Sequence, residues 1–229
     1  MNVRSKAASV KSVKANSALV SLLPHIKEGN NLVKLRSGAK LFSQGEPGDA
    51  IYFIQTGRVR LTVLSAQKKK AVLAVLAPSD FLGEECLVGD SLRTSTATSM
   101  GNSTVFRIEK KAMLKALHSS PKFSEGFISS LLARTLDLEE DLCDQLFNHS
   151  ERRLACALLK LTRRWEKPNL PDAQLPTITR GMLAEMVGTS QSRVNAFLTK
   201  FRKLGLVDYK GSGSITVKSE LLTEAVLHD

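Results

Sequence analysis

The chain has 229 residues, 42% hydrophobic and 24% charged, enough to bury one large core or two modest ones, and two domains fit better than one. Its 33 lysines and arginines against 22 acids give a formal charge of +11, which favours a polyanionic partner, nucleic acid or an acidic membrane surface, without choosing between them. No run of about 18 apolar residues is present to span a bilayer, the start lacks the compact apolar block of a secretory signal, and Cys86, Cys143 and Cys156 are odd in number with no C-x-x-C pair. A membrane protein, a disulfide framework and a zinc site are set aside on these grounds, and a cytoplasmic protein with buried free thiols is expected.

In chain order, residues 1–25 read as a basic flexible tail leading into a short helix. Arg4, Lys6, Lys11, Lys14 and Lys27 fall in the first 27 residues with no acid among them, a pattern that fits plain disorder as well as contact with DNA phosphates. Residues 26–120 change to short stretches such as Ile51 to Ile54 and Arg58 to Leu64, punctuated by glycines at 38, 45, 48, 57, 83 and 89. Short strands between regular turns predict an antiparallel β-barrel or sandwich. Lys68, Lys69 and Lys70, adjacent between two such strands, read as a solvated hairpin tip without a functional role.

Within this segment, Phe81 to Leu87 followed by Arg93 and Thr94 carries the densest chemistry. Gly83 opening a short helical turn leaves backbone N–H groups free for an anion, and Arg93, ten residues later, returns to the same place across a hairpin. Glu84 beside a phosphate would repel it unless its carboxylate turned away to accept from a sugar hydroxyl, while Thr94 can donate to phosphate. A ribose phosphate meets both conditions. The plainer alternative is a Glu84 to Arg93 ion pair closing an ordinary barrel. The candidate ligand set is therefore Gly83, Glu84, Glu85, Cys86, Arg93 and Thr94.

After Pro121 the period becomes helical over 121–148. Ile128, Leu131, Thr135, Leu138, Leu142 and Gln145 follow alternating three- and four-residue steps, and Leu132, Leu136 and Leu146 form a second stripe. Two apolar faces let one helix pack on its own barrel and on a partner helix, so a homodimer is expected; burial of both within one chain is the alternative. A break at Asn148 to Ser150 reads as a hinge, with Ser150 capping the next helix through Leu154 and Leu158 toward Trp165.

Between Pro176 and Val217 the order is a threonine start, an apolar helix with Met182, Leu183, Met186 and Val187, the turn Gly188 to Ser190, and a second helix from Gln191 to Leu204. This is helix-turn-helix grammar. Val194, Phe197, Leu198 and Phe201 form the buried face, leaving Gln191, Ser192, Arg193 and Asn195 to meet base edges. Arg180, Ser190, Lys200 and Arg202 can reach phosphates. Leu206 to Val217 reads as two short strands around a glycine-rich turn, a wing whose Lys210 adds a phosphate contact.

These residues resemble the Crp/Fnr family of bacterial transcription regulators, named for the cyclic-AMP receptor protein, from about residue 20 onward. The Gly83-Glu84 to Arg93 interval is similar to the family's phosphate-binding cassette. The resemblance implies that the Gly83 and Glu84 amides, Arg93 and Thr94 take phosphate, and that the Glu84 carboxylate takes a ribose 2′-hydroxyl. It implies an α+β fold: an N-terminal antiparallel β-barrel of the cyclic-nucleotide-binding jelly-roll type (26–120), a long dimerisation helix (121–148) and a C-terminal winged helix-turn-helix DNA-binding domain (149–229). Gln191, Ser192 and Ala196 stand where the cyclic-AMP receptors use charged base readers, so sequence preference differs from theirs.

Two departures bear on the effector. Where those receptors place Thr-Ser on the dimer helix to meet adenine, this chain has Glu139 and Glu140, followed by Asp141. A carboxylate can accept from adenine, or twice from guanine, which keeps cyclic GMP beside cyclic AMP; a solvated acidic face is the alternative. The clustered cysteines of the family's iron-sulfur branch have no counterpart near the start of this chain, and His25, His118, His149 and His228 match no haem-sensing pattern. No nucleophile, base and orienting group cluster as an enzyme would require. The expectation is a ligand-responsive, sequence-specific transcription regulator. It has no covalent cofactor, a cyclic nucleotide (cAMP or cGMP) as effector, and as partners a pseudo-palindromic DNA site, a second copy and RNA polymerase, with no membrane. A constitutive regulator with a vestigial pocket is the alternative.

Overall fold

The computed structural model describes residues 29–89, 91–165, 172–175, 178–209 and 214–228. The basic tail at 1–25, Lys210 and the glycine turn at 211–213 lie outside the described residues. The chain divides into two compact units with a boundary between Glu140 and Asp141, the segment 68–74 being grouped with the second. Each unit is built around its own core.

The first unit is antiparallel. One sheet runs in the order β1 (Asn30–Leu35), β8 (Ser103–Glu109), β3 (Ala50–Thr56), β6 (Phe81–Leu82); the other runs β2 (Lys40–Phe42), β7 (Thr96–Ser99), β4 (Val59–Leu64), β5 (Lys70–Leu76). Phe42 and Tyr52 join the two across a centroid separation of 5.7 Å, and this paired-sheet body is the jelly-roll expected from the sequence. β4 alternates at its start, with Val59 and Leu61 buried and Arg60 between them half-buried, before Thr62 is buried as well. β3 differs: Ala50, Ile51, Tyr52, Phe53 and Ile54 are all buried. Ile51 and Phe53 point to a cluster with Met113, Phe123 and Phe127, while Tyr52 on the opposite face meets Phe42. The strand is covered on both faces, so its apolar run is continuous.

Two helices supply that outer cover, α1 (Lys110–Ser119) and α2 (Pro121–Phe147). α1 anchors through Met113, fully buried, and is an element the alternating texture does not announce. α2 is pinned by Phe127, whose ring stands edge-on to Phe81 at 5.1 Å, with Phe123 and Leu131 packed on the same cluster. The row that meets the barrel is thus Phe123, Phe127 and Leu131. Leu132, Leu136 and Leu146 of the second stripe stay exposed, as do Ile128, Leu138 and Leu142 of the predicted seam.

The second unit holds α3 (Ser150–Trp165), β9 (Asp172–Leu175), α4 (Arg180–Val187), α5 (Gln191–Lys203), β10 (Val207–Tyr209), β11 (Ile215–Lys218) and α6 (Ser219–His228). Leu154, Leu158, Leu159 and Leu161 of α3 are buried at helical spacing and centre the core. The N–H of Arg153 donates to the carbonyl of His149, so the cap position precedes Ser150 by one residue. The wing has three strands, β10-β11-β9, where the sequence reading has two. α6 is likewise additional, packing on α3 with Leu222 and Val226 buried.

Candidate functional site

In the first unit, Gly83 stands before the 3-10 turn Glu84–Leu87 with φ 81°, a left-handed conformation glycine adopts freely. A β-carbon there would meet Arg93 Nη1 at 2.5 Å and the Ala50 carbonyl oxygen at 3.2 Å. Glycine is therefore required twice over, by backbone angle and by the arginine lying against it. Arg93 is 2% exposed. Its Nη1 donates to the Gly83 carbonyl at 3.0 Å and to Glu85 Oε1 at 3.4 Å, its Nη2 donates to the Ala50 carbonyl at 2.6 Å, and Asp49 Oδ1 lies 3.8 Å away. Phe42 lies beneath the guanidinium, 4.3 Å from Cζ to ring centroid. A buried guanidinium left unpaired would cost about 3–5 kcal/mol, and the two carbonyls with Glu85 and Asp49 remove that penalty.

Glu84 does not pair with Arg93. Its Oε1 accepts from Arg134 Nη1 of α2 at 2.6 Å, and its Oε2 is buried with no hydrogen-bond partner. Burial, only partly offset by Arg134, raises the Glu84 carboxyl above its ordinary value. Glu85 is half-buried on Arg93, Cys86 faces the core with Ile51 and Phe53, and Thr94 is exposed beside the arginine. The Cys86 thiol is pushed up chiefly by desolvation and is unsuited to act as an anion or nucleophile. Glu139 and Glu140 are exposed on α2. A helical residue five positions on from Arg134 points about 140° round the axis, so Glu139 faces away from the side that brings Arg134 to Glu84.

In the second unit, Thr179 and Ser190 cap consecutive helices, their hydroxyls accepting from the N–H groups of Met182 (3.1 Å) and Arg193 (3.3 Å). Gly188 makes the turn between them with φ 68°. Val194, Leu198 and Phe201 are buried beneath α5, with Phe197 half-buried. Gln191, Ser192, Arg193 and Asn195 are exposed on its opposite side, as the sequence predicts. The phosphate candidates are individually engaged: Lys200 pairs with Glu151 at 2.6 Å, Ser190 and Ser192 share a hydrogen bond of 2.9 Å, and Arg202 meets Asp208 at 3.5 Å. Arg180 and Arg202 both stand over Tyr209, 5.0 and 5.1 Å from its ring centroid. Lys210 follows directly in sequence but lies outside the described residues.

Three participants escaped the sequence reading. Asp49 precedes β3 in an ordinary-looking turn, Arg134 reads as one charge on an acidic helix, and Tyr209 reads as a wing residue. Asp49 and Arg134 act across more than forty residues of chain, where local periodicity is silent. Among the described residues no group of His, Cys, Asp or Glu is placed to hold a metal ion, and no helix is long and apolar enough to cross a membrane.

The cyclic nucleotide-binding domain family matches residues 32–120 and the Crp-like helix-turn-helix domain family matches residues 152–220. The cyclic AMP receptor protein of Thermus thermophilus is 30% identical over 192 residues, covering 82% of this chain and 84% of its own. The CRP-like cAMP-activated global transcriptional regulator of Mycobacterium tuberculosis is 27% identical over 186 residues, 81% and 83% of the two chains. In fold the chain is similar to FixK2 from Bradyrhizobium japonicum, with a TM-score of 0.75 at 18% identity over 85% of this chain and 96% of that one. Cradle, capped helix pair, wing and both matched regions lie in one order on one chain, and the protein belongs to the Crp/Fnr family of ligand-responsive, DNA-binding transcription regulators.

Proposed function

We propose that the effector is a cyclic nucleotide, cyclic AMP or cyclic GMP, seated between the 3-10 turn Glu84–Leu87 and Arg93. One observation carries this reading: Glu84 Oε2 is buried, lacks a partner, and lies one residue from Gly83, against which Arg93 packs. A ribose 2′-hydroxyl would satisfy that oxygen while the cyclic phosphate takes a donor from Arg93 and from Thr94. Two relatives described as cAMP-activated or as a cyclic AMP receptor support the same class. Glu139 and Glu140 remain the candidates to meet the base, once a partner helix is present.

In this reading the exposed leucines of α2 meet those of a second copy, and the two-fold pair presents two α5 helices to successive major grooves about 34 Å apart. Gln191, Ser192, Arg193 and Asn195 read base edges in a pseudo-palindromic site. Arg180, Ser190, Lys200, Arg202 and Lys210 hold phosphates, Lys200 and Arg202 exchanging their carboxylates for DNA. Ligand shifts the pair toward the DNA-competent arrangement, with the break at Asn148 to His149 as hinge, and the regulator acts on RNA polymerase in the cytoplasm.

Calorimetric titration of the purified protein with cyclic AMP and cyclic GMP tests this reading, with Arg93→Ala beside the wild type. Loss of the arginine should weaken binding at least about thirtyfold. No binding of either nucleotide to wild type would reject the effector. A second reading has its own support, since Arg93 already has three hydrogen-bond acceptors and the Asp49 carboxylate around it: a constitutive regulator whose pocket is filled by its own groups.

A further inference from the structure

The four groups that face Arg93, three hydrogen-bond acceptors and the Asp49 carboxylate at 3.8 Å, differ in how they can leave. The Gly83 and Ala50 carbonyls belong to the backbone of the cradle and cannot move without unmaking it. Asp49 is two-thirds exposed and is also bound by Arg107, so it has a second partner that holds it in place. Glu85 is different: its backbone is fixed in the 3-10 turn, but its carboxylate reaches Nη1 only through side-chain torsions, and the side chain is 23% exposed. A rotation of that side chain carries the carboxylate to water at little cost. The Glu85 contact, at 3.4 Å, is also longer than the bonds to the two carbonyls.

We infer that Glu85 is an internal competitor for the anion position: its carboxylate occupies Arg93 when nucleotide is absent and is displaced by the phosphodiester of the effector. This rests on the cyclic-nucleotide reading of the cradle and adds a residue that sets its threshold. The exchange puts one singly charged anion in the place of another, so the charge in contact with Arg93 is unchanged when a cyclic phosphodiester replaces the carboxylate and Glu85 turns to water. A phosphomonoester, carrying up to two charges at neutral pH, would add charge against Glu84 and Asp49. The device therefore favours diesters and makes the effector work against a contact already made, raising the concentration at which the protein responds.

Glu85→Gln keeps size and hydrogen-bonding capacity and removes the charge, and Glu85→Ala removes the contact. The full-length protein and both variants are titrated calorimetrically with cyclic AMP and cyclic GMP, with circular dichroism and melting to establish folding. The expected result is tighter binding of the preferred nucleotide by about tenfold in both variants. A wild type that binds nothing beside a Glu85→Gln variant that binds would overturn the inference, showing a cradle that its own carboxylate closes and that neither nucleotide can open. Wild-type binding with equal or weaker binding in folded Glu85→Gln would overturn it while leaving the cyclic-nucleotide reading standing. If neither wild type nor the folded variants bind, both fall together.

Discussion

Gly83 and Glu84 show how much chemistry two adjacent residues can fix. The position at 83 cannot carry a side chain without striking Arg93, so Gly83→Ala should displace the guanidinium and weaken nucleotide binding at least about tenfold, as read by calorimetry, with a lowered melting temperature. Unchanged affinity would remove Gly83 from the site. Glu84 makes a pH-dependent contribution whose sign follows from burial. Its folded carboxyl titrates above the ordinary 4.5, so the folded protein holds a proton the unfolded chain has released. The associated stability is fully present below about 4.5 and is lost as pH rises through the folded value. Urea unfolding of wild type and Glu84→Gln between pH 4 and about 7 should show the wild type losing ground to the variant as pH rises; a constant difference would contradict the assignment. The spacing of Gly83 and Arg93 was legible because both lie in one short stretch. Arg134 was not, since its partner stands fifty residues away and nothing in an acidic helix marks which charge turns inward.

Elements were legible where one face is buried and obscure where the pattern is shared or interrupted. The capped pair α4 and α5 could be read nearly to the residue because Thr179, Gly188 and Ser190 each sit where backbone geometry demands that residue type. β9 leaves no mark in the sequence because it is a four-residue edge strand hemmed by Pro171 and Pro176, and its pairing with β11 is set by tertiary contact rather than by alternation. α6 is faint in the sequence because Leu222 and Val226 give only one helical repeat. The two apolar faces of α2 are plain in the sequence, but not which row meets the barrel, since phenylalanines at 123 and 127 precede the leucine repeat. Phe127→Ala should therefore cost about 3–5 kcal/mol in unfolding free energy. Leu136→Glu, at an exposed position, should leave monomer folding intact and raise the dimer dissociation constant about a hundredfold in sedimentation equilibrium. A Leu136→Glu protein that assembled like wild type would place the partner elsewhere.

For the whole molecule, a net charge of +11 and an exposed row on α5 have separable effects. Arg193→Ala should cost about 1–3 kcal/mol on the cognate site and relax preference at one position in each half-site, whereas Lys200→Ala should weaken binding to all sequences and flatten the salt dependence by about one ion. Fluorescence anisotropy across a salt series on matched and mismatched DNA separates the two. Identical behaviour of both variants would dissolve the division between base readers and phosphate contacts.

The boundary between the two compact units falls inside α2, between Glu140 and Asp141, and so gives the chain a property of phase. One residue inserted there turns every later side chain of the helix by about 100°. Leu142 would leave the line of Ile128 and Leu138, and Leu146 that of Leu132 and Leu136, although no contact on either side of the insertion had been touched. Seven inserted residues restore the line to within about 20°. Chimaeras that graft a foreign sensor onto this reading head should accordingly succeed or fail by how near the change in junction length comes to a whole number of helical turns of about 3.6 residues, and not by the length itself.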